Sequence, residues 1–129
     1  MKGVMQVNKI DYFKARQASE MSCRSYKQIL DANDEKYAML DARPGTPEEL
    51  KQTIPGAIMI PINDLADNLD KLPKDKTIVV NCFSLTCTIA VRACILLLEN
   101  GFDAMEMRGG MEGWLESGYP TTELVPSAG

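Results

Sequence analysis

Four cysteines stand in a chain of 129 residues that contains no histidine. A thiolate is a strong nucleophile and a reversible carrier of sulfur, so Cys23, Cys82, Cys87 and Cys94 are where any chemistry must begin. The lack of histidine removes the Ser-His-Asp triad, the papain-like Cys-His pair and every His-containing zinc or haem site. It also removes the commonest general base at neutral pH, so a reactive cysteine must be activated by something else. The cysteine spacing contains no C-x-x-C, which speaks against a zinc knuckle and a thioredoxin motif. Asp64, Asp67 and Asp70 recur every third residue and read as one solvated helix face. No metal site and no cofactor is expected.

The informative stretch runs from Thr77 to Thr88. A β-branched strand over 77–81 leads directly into Cys82, a loop of five or six residues follows, and a helix starts on its far side. In parallel α/β sheets, ligands sit beyond the carboxyl ends of the strands, where Cys82 would lie. Unpaired N–H groups of the loop and of the first helical turn can hold an anion there, and a thiolate so held needs no histidine. A thiol of pKa ~8.5 is about 3% ionised at pH 7; lowering it by two units gives roughly 75%, a change of about 2.7 kcal/mol. The plainer alternative is that Cys82 is a small buried hydrophobe at a strand end. Tyrosine-phosphatase chemistry is a poor fit, because Thr88 occupies the position where Cys-x5-Arg needs its arginine, and the transition-state charge would lack a clamp.

The elements that must position this loop alternate along the chain. Asn8 or Asp11 can start a short helix through Gln17, with Tyr12 and Phe13 as an apolar anchor, and Ser22 can cap a helix over 24–30. Residues 37–41 suit a buried strand. Thr46, Pro47 and Glu49 form a capping-box start that must end before Pro55 and Gly56. A strand over 57–60 follows, then a helix over 64–69 capped by Asn63, a polar turn over 72–76, and the 77–81 strand. A largely apolar helix spans 88–100 and ends at Asn100 and Gly101. A last strand over 104–107, a turn at Gly109 and Gly110, and a helix over 111–117 complete the chain. Strands separated by helices imply a parallel sheet covered on both faces.

With 45% hydrophobic and 25% charged residues, the chain reads as a single domain over 1–129, its core about 8–120 and 121–129 a loose tail. A net charge of −4 argues against nucleic acid or an anionic membrane as partner. No apolar run has the length of a membrane span, no signal-peptide pattern opens the chain, and the sparse cysteines favour a reduced, cytoplasmic setting.

Several segments resemble, in order, the rhodanese-like family. Asp41 and Arg43, after Leu40, match its Asp-x-Arg segment. Ile54 to Ile58 with Ile60 and Pro61 match its His-Ile-Pro-Gly-Ala-Ile-x-Ile-Pro stretch, although Thr53 replaces the histidine. Val79 to Cys82 match the strand that delivers the sulfur-carrying cysteine. Gly101 and Phe102, the run from Met107 to Trp114, and Gly118 to Pro120 match the C-terminal signature. The resemblance implies a five-stranded parallel sheet flanked by helices. It also implies a sulfurtransferase in which Cys82 takes a sulfane sulfur as a persulfide and passes it to a thiol or other nucleophile.

The loop residues Phe83, Ser84, Leu85, Thr86 and Thr88 would then bind the substrate, with Asp41 and Arg43 in support. They differ from the family where thiosulfate is concerned. Thiosulfate-handling members place Arg or Lys in or beside the loop; here it is uncharged, and Leu85 stands where many members have glycine. Of the two donors, thiosulfate and a persulfide on a protein or small thiol, the neutral, partly apolar rim suits the persulfide better. Phe83 can wall the pocket or form a rim that docks a partner. Cys87 is at the loop's far rim, where family members contact the carried sulfur through hydroxyls. It either fills the helix start or attacks a Cys82 persulfide, releasing sulfide and leaving a disulfide. Cys23 and Cys94 read as structural, and Trp114 as a core plug. A non-catalytic rhodanese-like interaction module and a thiol–disulfide redox protein using Cys82 and Cys87 remain as alternatives.

Overall fold

An unbroken β-branched run, Thr77 to Val80, has the composition of a strand covered on both faces, and it forms the middle of the sheet. The computed structural model describes residues 2–125, with side chains from residue 8 onward. In chain order the elements are α1 (Lys2–Ser19), β1 (Glu20–Ser22), α2 (Cys23–Asp31), β2 (Tyr37–Asp41), α3 (Pro47–Leu50), β3 (Gln52–Thr53) and β4 (Ile58–Met59). Two 3-10 segments follow (Ile62–Asp67 and Leu69–Lys71), then β5 (Thr77–Asn81), α4 (Ile89–Glu99), β6 (Asp103–Arg108), α5 (Gly110–Glu116) and β7 (Thr122–Glu123).

Five strands form a sheet of order β1-β6-β5-β2-β4, every neighbouring pair parallel. This is the α/β architecture expected from the alternating elements. The chain leaves β2 for the outer strand β4, returns to the other side of β2 as β5, and continues outward through β6. The connections therefore change direction between β2 and β5, which opens a crevice beyond their carboxyl ends. Asp41 and Asn81, the last residues of those strands, are register partners at its floor.

Side-chain alternation along β5 divides the core. Ile78, Val80 and Cys82 face a cluster with Ala90, Ala93 and Leu97 of α4 and with Leu65 and Leu72 from the 3-10 region. Val79 faces the opposite cluster, with Tyr26 of α2, Met39, and Met111 and Trp114 of α5. Trp114 is fully buried, as expected of a core plug; its indole N–H donates to Pro120 O at 2.8 Å, and its ring meets Tyr119 edge-on at 5.0 Å.

Local chemistry accounts for several boundaries. Ser22 Oγ accepts from Ser25 N at 3.0 Å, capping α2. Thr46 and Glu49 close a reciprocal capping box on α3, with N–H···O distances of 3.0 and 3.2 Å. Gly101, at φ +85°, takes the chain out of α4.

Other expectations are corrected. The first helix begins well before Asn8, and its predicted anchors Tyr12 and Phe13 are 58% and 54% exposed, stacking edge-on on one another at 5.2 Å. Strand β1 is absent from the sequence reading because three residues with one apolar side chain carry no periodic signal. Residues 62–71 form 3-10 turns rather than an α-helix, and Asn63 caps nothing, since Pro61 holds the N-cap position. The predicted tail is tied down as far as Leu124: β7 pairs antiparallel with β3, Leu124 N donates to Lys51 O at 2.9 Å, and Thr121 Oγ1 meets Gln52 Oε1 at 2.9 Å. Residues 126–129 lie outside the described residues. No helix among the described residues is long and apolar enough to cross a membrane.

Replacing Trp114 by alanine removes a full core side chain and the indole tie to Pro120. It is expected to lower stability by about 3–5 kcal/mol in urea unfolding, whereas Leu98→Ala, on the exposed face of α4, should stay within about 0.5 kcal/mol. Equal losses would contradict this packing.

Candidate functional site

Strand β5 ends at Asn81, and the next residue, Cys82, opens the loop that reaches α4 at Ile89. Cys82 is only 2% exposed and packs on the α4 side of the sheet. The start of α5 holds it in place: Met111 N donates to Cys82 O at 2.8 Å and Glu112 N to Phe83 O at 3.0 Å. Such close approach requires Gly110. A Cβ there would lie 2.6 Å from Cys82 O and 2.8 Å from Ser84 N, and its φ of +60° disfavours any other residue. The sequence reading identified Gly109 and Gly110 as a turn; their proximity to the cysteine loop has no local signal.

The loop then curls back. Cys87 N donates to Ser84 O at 3.1 Å, and the Ser84 and Thr86 hydroxyls lie 3.2 Å apart. Among the described residues, the N–H groups of Phe83, Ser84, Leu85, Thr86 and Thr88 make no backbone hydrogen bond. Thr88 sits at the N-cap of α4 without a side-chain cap, so the first-turn amides are not capped by its hydroxyl. These loop amides are thus left out of the backbone ladder and of the α4 cap. Cys82 and Cys87 are joined as a disulfide, with Cα atoms 6.5 Å apart. Phe83 and Leu85 project from the loop as exposed apolar side chains.

Beside the loop lies a buried polar network. Arg43 Nε and Nη2 donate to the two Asp41 oxygens at 2.9 and 2.7 Å, and Nη2 also reaches Gln52 O at 2.7 Å. Thr53 Oγ1 donates to Asp41 Oδ2 at 2.6 Å, which accounts for a hydroxyl at this position. The guanidinium lies 5.7 Å from the Phe83 ring centroid. Arg43 thus lies beside Phe83 with its charge matched by Asp41. Asn81, fully buried, places Nδ2 3.8 Å from Met111 Sδ, while its Oδ1 has no partner among the described residues. A polar residue closing a β-branched run was the only sequence sign of it.

The remaining cysteines are in different surroundings. Burial, reinforced by Glu106, pushes the Cys94 thiol up to about 12. Burial likewise raises Cys23, partly countered by a backbone hydrogen bond; its Sγ faces Arg108 O at 3.5 Å and Gly110 O at 3.7 Å. Both are neutral packing thiols. An apolar pocket of about 140 Å³, lined by Arg43, Pro47, Leu50, Met59 and Leu124 among others, opens at the carboxyl ends of β2 and β4. A broader groove of about 510 Å³, lined by Tyr26, Asn33, Tyr37 and Lys76 among others, lies at the amino ends of β2 and β5, the opposite end of the strands from Cys82. Among the described residues no three His, Cys, Asp or Glu side chains gather into a metal-holding group.

Comparison with known proteins adds to this geometry. The family model of the rhodanese-like domain matches residues 22–117. A sulfurtransferase of Allochromatium vinosum is 31% identical over 104 residues, covering 79% of this chain and 92% of that protein. An HTH-type transcriptional regulator of Mycobacterium tuberculosis is 35% identical over 91 residues, 70% of this chain but only 40% of the regulator's own length. A crystal structure of a full-length protein from Lactobacillus plantarum superposes with a TM-score of 0.85 at 29% identity, covering 92% of this chain and 98% of that one.

Two outcomes test the site's construction. Gly110→Ala is expected to cost at least ~1–3 kcal/mol more than Gly56→Ala, since Gly56 also has a positive φ but open space around it; equal costs in thermal unfolding would refute the close approach. Mild oxidation of the reduced protein is expected to link Cys82 to Cys87 in a peptide map and leave Cys23 and Cys94 free. Free thiols at positions 82 and 87 after oxidation would overturn the pairing.

Proposed function

This chain belongs to the rhodanese-like domain family, and on that premise we propose that it is a sulfurtransferase carrying sulfane sulfur as a persulfide on Cys82. The observation that carries the reading is the seat of Cys82. It directly follows the last residue of the central strand at the crevice, its carbonyl is fixed by Met111 N, and the loop after it presents amides without backbone partners. In this reading those amides are the donors that take the place of the missing imidazole in holding an anionic sulfur. The thiolate attacks the outer sulfur of a donor persulfide, R–S–SH. The donor's S–S bond breaks, R–S⁻ leaves with the electron pair, and Cys82–S–SH results.

Charge selects the donor. Residues 83–88 carry no charged side chain, and the Arg43 cation is matched by Asp41 and held against Gln52 O. Thiosulfate would have to leave two negative charges without a cationic partner in the loop, a desolvation cost that a persulfide on a protein or small thiol avoids. Exposed Phe83 and Leu85 suit the same neutral class of donor, with a thiol as acceptor.

Reduced protein with Cys87 replaced by serine, challenged with a small-thiol persulfide, is expected to gain ~32 Da in intact-mass spectrometry, one sulfur atom. Thiosulfate should give less adduct at equal concentration. Adding Cys82→Ser should abolish the gain; an adduct that persists would place the carrier elsewhere. No uptake from either donor would favour a non-catalytic interaction domain.

A further inference from the structure

Cys82 is almost completely buried, and the sulfur in contact with its own belongs to Cys87. The two facts bear on how carried sulfur leaves. Once the persulfide has formed, an external thiol acceptor needs a second encounter with a sulfur buried on the α4 side of the sheet, whereas the internal thiol is already there. The loop enforces this juxtaposition: Met111 N and Glu112 N anchor its first two carbonyls, and the Cys87 N–H bond to Ser84 O turns the far rim back. The Cα separation of 6.5 Å lies within the span a disulfide can bridge. Cys23 and Cys94 are free thiols: Cys23 packs in the opposite cluster, and Cys94, on α4, packs against the cluster that holds Cys82 without pairing with it.

We propose that the site is sulfide-releasing, with Cys87 as the resolving thiol and an external dithiol as the reductant that resets it; this rests on Cys82 as the persulfide carrier. The Cys87 thiolate attacks Cys82 Sγ, the inner sulfur of the persulfide. The new bond is Cys82–S–S–Cys87; the bond between Sγ and the sulfane sulfur breaks, and the electron pair leaves with sulfide, which takes up the proton. The sulfane sulfur is reduced by two electrons and the two cysteine sulfurs are oxidised to the disulfide, so the step balances without a further reagent. A dithiol then returns both cysteines to thiols and becomes a disulfide itself. It attacks at Cys87, the half-buried sulfur, because Cys82 is enclosed.

The test is a single turnover without external reductant. Reduced protein receives one equivalent of a small-thiol persulfide, and free sulfide and intact mass are followed together. The wild type should release about one sulfide per chain and finish about 2 Da below the reduced protein, with Cys82 linked to Cys87. Cys87→Ser should keep the ~32 Da adduct and release sulfide at least ~10-fold more slowly. A wild type that keeps its adduct and releases sulfide no faster than Cys87→Ser would overturn the resolving step alone. Absence of sulfur uptake by Cys87→Ser, with no sulfide from the wild type, would overturn the carrier reading and this one with it.

Discussion

The contact on which the site depends is backbone to backbone: the first amides of α5 against the carbonyls of Cys82 and Phe83. It satisfies two otherwise unpaired donors at a helix start and two acceptors in a loop with few other partners. It exists because Gly110 has no Cβ to hold the segments apart. The other end of the same short helix is fixed as well, since Trp114 is buried and bonded to Pro120 O. That bond directs the chain toward β7, which pairs with β3 next to the Asp41–Arg43–Thr53 network. One helix of seven residues thus joins the cysteine loop to the far side of the crevice.

The buried Asp41–Arg43 pair has a geometric rather than an energetic meaning. Removing two charges from water offsets most of their attraction, so such pairs add little net stability, although loss of one partner is costly. What the pair does is hold a guanidinium beside Phe83 with its charge already matched, leaving the loop rim uncharged and only partly apolar. The cysteines also differ in their surroundings. Cys94 and Cys23 are raised by burial, while Cys82 and Cys87 meet at a loop supplied with unpaired amides.

Elements with a strong local signal were legible without the fold. Residues 37–41 and 77–81 are strands over the expected spans, because a run of apolar residues closed by a polar one needs little context. The Thr46 capping box and the Ser22 cap form as read, each being a bond between residues three apart. The elements that escaped were those stabilised by distant partners. Strand β1 is a strand only because Met21 aligns with Met107, and β3 and β7 exist only as a pair. Tyr12 and Phe13 show the opposite failure, since an apolar pair on a helix says nothing about whether a surface comes to meet it.

Residue types and their order were enough to read the class of fold, the family, and the one cysteine placed at the end of a central strand with no histidine to serve it. These follow from side-chain type and order, which local physics can read. Only the folded chain shows which of the open alternatives for Cys87 is taken, which glycine must be glycine, and that the Asp41–Arg43 pair is buried beside Phe83. Those are contacts between segments far apart in the chain, several of them made by backbone amides and carbonyls. Such groups are the same at nearly every residue and gain meaning only when the fold sets one against another.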